Sequence, residues 1–350
     1  MSKPLLTGLS KLAVTRFPKP NQTRSISSIN LTLPRDSAEE CLRQMTSYYQ
    51  QFQSADHILK PLTQKEAFTW HDEFSSIIKS RNPEFLDTLE DVRQNPAQVA
   101  LLDGILFPKI EHAEIPTTNV EMDSALIKKL RPAEISLIAF SKMLGVKPDD
   151  YLQNKLLGYI YATESERYNP SSFKSSNKPL KWHNDGWGSG EAIPYVMILS
   201  IVGHENALTE VISGKDIVDH FVKNGKEHLL EPLNKYILIQ DPDSFLDTPI
   251  NVLDAKTNKV NFADYGFFKP TRILDYKLFK EAFSFFKQTL EVVPRISINL
   301  EAGQLLRLPN QEHLHQRDLK PDPNNMILNL VGTRLGVRML GSKDDGDKSI

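Results

Sequence analysis

The order of hydrophobic patterns along the chain constrains its fold more than any other feature of the sequence. In the N-terminal part of the chain, apolar residues recur near the helical period, as in residues 64–80, 84–94 and 121–144. Further along, short apolar runs rich in β-branched residues predict buried strands, for example residues 195–202. One helical stretch with a clear apolar face, residues 274–290, interrupts these strands. Helices that precede a mostly antiparallel β region favour an α+β arrangement.

The strand pattern near the C-terminal end narrows this prediction. Apolar residues alternate over 296–300, residues 301–304 carry a turn signal, and the alternation resumes at Leu306 and Leu308. This pattern predicts an antiparallel hairpin. Because short strands of this kind suit a jelly roll, we expect a jelly-roll (double-stranded β-helix) core with N-terminal helices and one inserted helix.

Composition argues against several classes of protein. The 350 residues carry a formal net charge of −2, which gives no electrostatic reason to expect binding to nucleic acid or to a membrane surface. Cys41 is the only cysteine, which excludes an intrachain disulfide and a cysteine-based metal site and fits a reducing compartment. No apolar run approaches the roughly 18 residues of a membrane span. We therefore expect a cytoplasmic protein whose partner is a small molecule.

The first 35 residues differ in charge from the rest of the chain. They contain six basic residues and no acidic residue, and serine and threonine are frequent. We interpret residues 1–30 as a basic, flexible tail. An organellar transit peptide is the alternative, and it would change the expected location. We expect residues 31–341 to form a single domain and residues 342–350 to form a flexible tail.

Three histidine-x-acid pairs could each supply two metal ligands, whereas nine histidines and 44 acidic residues predict about one such pair by chance. The pairs are His71/Glu73, His112/Glu114 and His183/Asp185. The first lies in a helical stretch, where this spacing places the side chains on different faces. The second lies in a loop bounded by prolines. Only the third lies in an extended segment, where residues i and i+2 point the same way.

A metal site built on His183 and Asp185 needs a further ligand from elsewhere in the chain. His313 and His315 are both candidates, because both would face the same side of an extended segment. Spacing alone does not choose between them. Two imidazoles and one carboxylate form the facial triad that binds Fe(II) on one side and leaves the opposite positions open.

The run Pro-Leu-Lys-Trp-His-Asn-Asp-Gly over residues 179–186 resembles the metal-binding motif of the clavaminate synthase and taurine dioxygenase-like Fe(II)/2-oxoglutarate oxygenases. Within that superfamily it looks most similar to the asparagine- and arginine-type amino-acid hydroxylases. The resemblance covers roughly residues 85–340, and its motifs are specific in combination. Further runs that carry it are Val99–Pro108, Asn206–Thr209, Ala302–Gln304, Pro309–Asn310, His315–Arg317 and Thr333–Arg338.

The resemblance implies an activity and its cofactors. Through the register set by Asn310, it makes His315 the third ligand of Fe(II), beside His183 and Asp185. It implies that 2-oxoglutarate and O2 are co-substrates, that succinate and CO2 are co-products, and that a C–H bond of a small amino-acid-like substrate is hydroxylated. The resemblance admits substrates that are free or carrier-bound, and basic amino acids are among them. The presence of Asp185 favours hydroxylation over halogenation, whereas desaturation stays open.

The resemblance also implies the residues that bind the organic molecules. The far carboxylate of 2-oxoglutarate would pair with Arg334, and Thr209 would add a hydroxyl donor. Arg338 would face the carboxylate of the substrate. Asp241 and Asp243 are similar in position to an acidic pair that meets a guanidinium in arginine-type hydroxylases.

The chain departs from the family pattern at several positions. Gln304 and Gln316 replace the usual Asp and Gly, and the insertion at 320–325 leaves the roles of Arg334 and Arg338 open to exchange. One alternative function keeps the same cofactors but uses another small acid or a quaternary amine. Another is a jelly-roll protein that binds a metal or a ligand without catalysis. The sequence does not predict an oligomeric state.

Overall fold

A computed structural model describes the residues on which the following account rests. They are 28–51, 62–117, 124–148, 157–161, 179–186, 193–235, 237–240, 247–264, 270–272, 276–319 and 335–344. The helices are α1 (Arg35–Gln51), α2 (Gln64–Arg81), α3 (Pro83–Gln94), α4 (Ser124–Met143), α5 (Gly214–Lys223), α6 (Leu230–Asn234) and α7 (Tyr276–Val292), with short 3-10 turns at His112–Glu114 and Glu227–Leu229.

The strands follow mainly in the second half of the chain. They are β1 (Ser28–Thr32), β2 (Val99–Asp103), β3 (Val146–Pro148), β4 (Gly158–Tyr161), β5 (Leu180–His183), β6 (Tyr195–Val202), β7 (Ala207–Ser213), β8 (Ile237–Gln240), β9 (Asp247–Ile250), β10 (Leu253–Asp254), β11 (Lys259–Val260), β12 (Pro270–Arg272), β13 (Ile296–Asn299), β14 (Leu305–Pro309), β15 (His313–Leu319) and β16 (Leu335–Lys343).

Two sheets form the centre of the fold. The large sheet has seven strands in the order β1-β2-β14-β6-β16-β3, with β4 also paired to β16. The small sheet has four strands in the order β13-β7-β15-β5. Apart from the parallel pair β1–β2, the described strand pairs of both sheets are antiparallel. The chain therefore combines helices with mostly antiparallel sheets.

The helices of the first half pack on the outer face of the large sheet. Helix α2 begins at a capping box, in which the Thr63 hydroxyl accepts the Glu66 N–H at 3.2 Å and the Glu66 carboxylate accepts the Thr63 N–H at 3.0 Å. Phe74, Phe85 and Phe140 are at most 1% exposed in the core beneath these helices. Burying one such side chain stabilises the fold by about 1.5–3 kcal/mol.

The two faces of the small sheet meet different partners. Ile212 and Leu314 point outward and pack with residues of α5 and α7. Val211 points inward, because neighbouring residues of a strand face opposite sides. It packs with Leu306 and Leu340 of the large sheet. We call this apolar layer between the two sheets the inner core.

The predicted hairpin over residues 296–308 is wrong. Strand β13 pairs with β7 in the small sheet, whereas β14 pairs with β2 and β6 in the large sheet. The intervening turn therefore crosses from one sheet to the other. Gly303 makes this crossing possible with a positive φ of 83° and backbone hydrogen bonds to Ser200 and Ile105. An alternating pattern shows that one face of a strand is buried, but not which strand lies beside it. Strands β13 and β14 both bury one face in the inner core, although they belong to different sheets.

Two strands extend into the segments that we expect to be flexible tails. Residues 28–30 belong to β1, which pairs with β2. At the other end, Ser342 and Lys343 extend β16 into its pairing with β3. Among the described residues, no helix combines the length and the apolar character that crossing a membrane requires.

Candidate metal centre

The three side chains predicted as metal ligands come together at the small sheet. His183 ends β5, and His315 of β15 lies directly opposite it in the antiparallel register. Asp185 follows in the turn beyond β5. One potential ligand atom from each residue lies within 4.8 Å of the other two. Within the described parts of the chain, no other group of three or more His, Cys, Asp or Glu side chains has this arrangement.

A β-bulge turns His183 toward the inside of the fold. The register pairs His315 with His183 but Arg317 with Leu180, so three steps along β5 match two steps along β15. Trp182 consequently packs with the helices outside the small sheet. The His183 and His315 rings approach each other, with centroids 4.2 Å apart.

Hydrogen bonding identifies the protonated nitrogen of one imidazole in this cluster. The Nδ1 atom of His183 lies 2.7 Å from the Lys181 carbonyl and donates to it, which leaves Nε2 as the acceptor. That Nε2 lies 3.7 Å from Asp185 Oδ1, too far for a hydrogen bond but close enough for one ion with bonds of about 2.1 Å. The buried Nδ1 of His315 has no hydrogen-bond partner among the described residues.

The charge states of the cluster also suit a divalent metal. Burial lowers the pKa of His183, and it lowers the pKa of His315 to about 3, so both imidazoles are neutral at pH 7. Burial alone would raise the pKa of Asp185. The Arg338 guanidinium, with a nitrogen 3.2 Å from the Oδ2 atom of Asp185, nevertheless holds that pKa below its usual value. Two neutral nitrogens and one carboxylate are the donor set of an Fe(II) facial triad.

The structure separates the two histidines that spacing left open. His313 is 3% exposed, and its Nδ1 atom donates to the Pro309 carbonyl at 2.9 Å. Burial lowers its pKa to about 4. It does not belong to the cluster of potential ligands, which contains His315. His313 therefore has the properties of a neutral core histidine.

Asn184, which lies between the candidate ligands His183 and Asp185, was not predicted as a site residue but anchors this segment. Its side-chain oxygen accepts the Phe262 N–H at 2.8 Å, and its side-chain nitrogen donates to the Val260 carbonyl at 3.0 Å. Its backbone N–H donates to the Phe262 carbonyl at 3.0 Å. The segment that carries both candidate ligands is thereby fixed to residues 260–262.

The residues predicted to bind organic molecules lie in two different sheets. Thr209 is buried in β7, two residues from Val211, the register partner of His315, so it shares the inner face. Arg338 comes from β16 of the large sheet and reaches Asp185. Arg317 was not predicted as a site residue, although it lies opposite Thr209 and its charge contributes to the lowered pKa of His183. Its spacing of two residues from His315 was the available signal. Arg334, Asp241 and Asp243 lie outside the described residues.

The two glutamines that depart from the family pattern make local hydrogen bonds. Gln316 follows His315 and faces the opposite side of β15, where its amide donates to Glu210 at 2.5 Å. The side-chain oxygen of Gln304 accepts the Glu301 N–H at 2.9 Å within the turn between the sheets. Neither substitution removes a member of the metal-ligand cluster.

Comparisons with known proteins gave matches in structure only. No protein-family model matches the chain, and no curated protein matches it. The non-heme iron oxygenase OrfP in complex with Fe and alpha-ketoglutaric acid is similar, with a TM-score of 0.61 and 15% identity over 91% of this chain and 95% of that one. An asparagine oxygenase in complex with Fe(II), 2S,3S-3-hydroxyasparagine and succinate has a TM-score of 0.58 and 14% identity over 90% and 93%. The chain therefore shares the fold of these oxygenases.

Proposed function

We propose that this protein is a non-haem Fe(II)- and 2-oxoglutarate-dependent dioxygenase that hydroxylates a C–H bond of a small amino-acid substrate. The observation that carries this proposal is the convergence of His183, Asp185 and His315 in a fold shared with iron oxygenases. We further propose that the elements from β1 to β16 form one domain with a jelly-roll core and that the protein acts in the cytoplasm.

His183, Asp185 and His315 would hold the iron. The neutral imidazoles need not lose a proton before binding it, and the carboxylate is already ionised. When bound, Fe(II) with 2-oxoglutarate and O2 supplies the oxidising power for C–H hydroxylation and yields succinate and CO2. The protein contributes the orientation of the ligands and the burial of the site, since both histidines are at most 7% exposed.

Two arginines and one threonine are our candidates for the carboxylates of 2-oxoglutarate and substrate. We assign Arg334 and Thr209 to 2-oxoglutarate, because a guanidinium and a hydroxyl together suit a carboxylate. We assign Arg338 to the substrate carboxylate. Its side chain is 34% exposed and uses one nitrogen on Asp185, which leaves further donors of the guanidinium for a second anion.

Two considerations support our choice of substrate class: the ligands of structurally similar oxygenases and a pair of acidic residues in this chain. OrfP has been crystallised with Fe, succinate and (3S)-hydroxy-L-Arg and with Fe and L-canavanine, and the asparagine oxygenase with 2S,3S-3-hydroxyasparagine. By analogy we propose a free amino acid. Asp241 and Asp243 would meet a basic side chain, which makes arginine-like substrates the first to test.

The experiment is a substrate screen under air with Fe(II) and 2-oxoglutarate, in which succinate and the hydroxylated product are both measured. We expect one amino acid or guanidino compound to raise succinate formation with an equal amount of product. Asp185→Ala should abolish both, whereas Asp264→Ala, an exchange of the same kind outside the ligand cluster, should leave turnover in place. Metal binding without succinate for any substrate would instead support a non-catalytic binding protein.

The same assay tests the two arginines. Arg334→Ala should raise the KM for 2-oxoglutarate by at least tenfold, and Arg338→Ala should mainly raise the KM for the amino acid. The reverse pattern would exchange their roles.

A further inference from the structure

We propose that Asn310 is a positioning residue that holds Asp185 in the orientation of a metal ligand. This inference rests on the proposed function, because it concerns the same metal centre. Asn310 lies between β14 and β15, in the turn that precedes the strand of His315. Its side chain is fully buried, at 0% exposure.

Both N–H groups and the oxygen of the Asn310 side-chain amide form hydrogen bonds. Its nitrogen donates to the Asp185 carbonyl at 2.9 Å and to the Ile193 carbonyl at 2.8 Å. Its oxygen accepts the Asp185 N–H at 2.9 Å. One side chain thus binds both backbone polar groups of the residue that would supply the carboxylate ligand.

Asp185 needs such a partner because it lies beyond the end of β5. A residue within a strand is held by ladder hydrogen bonds to its neighbours, whereas Asp185 lies in a turn and precedes Gly186, which has a φ of 78°. The hydrogen bonds from the Asn310 amide replace the ladder bonds that a neighbouring strand would form with Asp185. Rotation of the Asp185 backbone would leave buried polar groups unpaired, which is strongly disfavoured.

The position of Asn310 also relates the two parts of the metal site. Its backbone N–H donates to the Pro194 carbonyl at 2.7 Å, next to the start of β6. His315 follows five residues later on β15. The same residue therefore connects the turn of Asp185, the entry to β6 and the strand of the third ligand. The carboxylate of Asp185 is contacted separately by Arg338, whose Nη1 atom donates to Oδ2 at 3.2 Å.

Metal binding by the full chain tests this role without relying on turnover. Metal-free protein is titrated with Co(II), and the Kd and the visible d–d spectrum are recorded. We expect Asn310→Ala to raise the Kd for Co(II) by about 10- to 100-fold, the usual effect of removing a group that orients a ligand. We also expect the d–d bands to change, because the carboxylate is no longer held in one orientation.

Asn82→Ala is the matched control. It removes an asparagine whose side-chain nitrogen donates to Asp36 and Ser37, both at 2.9 Å, in the helical layer. Its Co(II) Kd should stay within twofold of wild type. If Asn310→Ala does not fold, as judged by circular dichroism, Asn310→Ser replaces it, because serine keeps a polar group but is too short to bridge the two carbonyls.

The outcomes separate this inference from the proposed function. Wild-type affinity and an unchanged spectrum in a folded Asn310 variant would overturn the positioning role and leave the metal centre intact. A wild-type chain that binds neither Co(II) nor Fe(II) would overturn the proposed function and the positioning role with it. Equal weakening by Asn82→Ala would show that general destabilisation explains the loss, and that result also overturns the inference.

Discussion

Acidification should destabilise the metal-free protein, and His313 should account for a measurable share of the loss. Burial lowers the pKa of His313 to about 4, whereas a histidine in an unfolded chain titrates near 6.5. Between these two values the unfolded chain binds more protons than the folded chain. The contribution of neutral His313 to the free energy of unfolding is therefore fully present at pH 7. It is lost as the pH falls below about 6.5, and the loss levels off near pH 4.

The size of the effect follows from the two pKa values. One pKa unit corresponds to about 1.4 kcal/mol, so a change from pH 7 to pH 5 should remove about 2 kcal/mol through His313 alone. His315, whose pKa is lowered to about 3, should remove a similar amount in the absence of metal. Burial raises the pKa of Glu134 and Glu312, and such carboxyl groups act in the opposite direction because the folded state binds their protons more tightly.

A variant isolates the contribution of His313 from these other groups. His313→Gln keeps an N–H donor for the Pro309 carbonyl but cannot titrate. Urea unfolding at pH 7 and at pH 5 should show that the wild type loses about 2 kcal/mol more than this variant. His112→Gln, at an exposed position, should behave like the wild type. An equal loss in the wild type and in His313→Gln would refute the argument that burial of this ring makes the protein acid-sensitive.

Two further predictions concern stability, and urea unfolding measures both. Gly303→Ala should cost about 2–4 kcal/mol, because φ is positive there and the added Cβ would lie 2.6 Å from the Ile105 carbonyl oxygen. Gly225→Ala is the control, because φ is also positive there but no atom lies within 4 Å of the added Cβ. It should lower the free energy of unfolding by only about 1 kcal/mol. Equal losses in the two variants would contradict the steric explanation. Arg307→Leu should lower the free energy of unfolding by about 3 kcal/mol or more. This arginine is 1% exposed, and it donates to four backbone carbonyls at and beyond the end of α3, which the variant would leave unpaired. A loss below about 1 kcal/mol would argue against that role.

The helices and the larger strands could be predicted from the sequence because burial leaves a periodic pattern. Helices α2, α3 and α4 lie where the apolar period is helical, and β6 lies where a β-branched run indicates a buried strand. The pairing between strands could not be predicted in this way. The alternation in β13 and β14 is the same whether they pair with each other or lie in opposite sheets, and only long-range contacts decide this.

The candidate site shows the same division. The His183/Asp185 pair could be chosen from the sequence because it lies where an extended segment ends, although Asp185 itself lies in the turn beyond β5. The bulge that turns His183 inward left no signal, because it depends on the register with β15. The contact of Asn310 with Asp185 could not be predicted, because a buried amide that binds the backbone of a distant residue has no local sequence pattern.

The candidate metal centre depends on both sheets, although its histidines belong to one. His183 and His315 face each other across neighbouring strands of the small sheet, so ladder hydrogen bonds fix their separation. Asp185 lies beyond that ladder. Arg338 of the large sheet contacts its carboxylate, and Asn310, in the turn that joins the two sheets, binds its backbone. The distance from the carboxylate to the imidazoles is therefore set by how the sheets pack across the inner core. For this reason, the residues that determine the geometry of the site extend well beyond the three that would bind the metal.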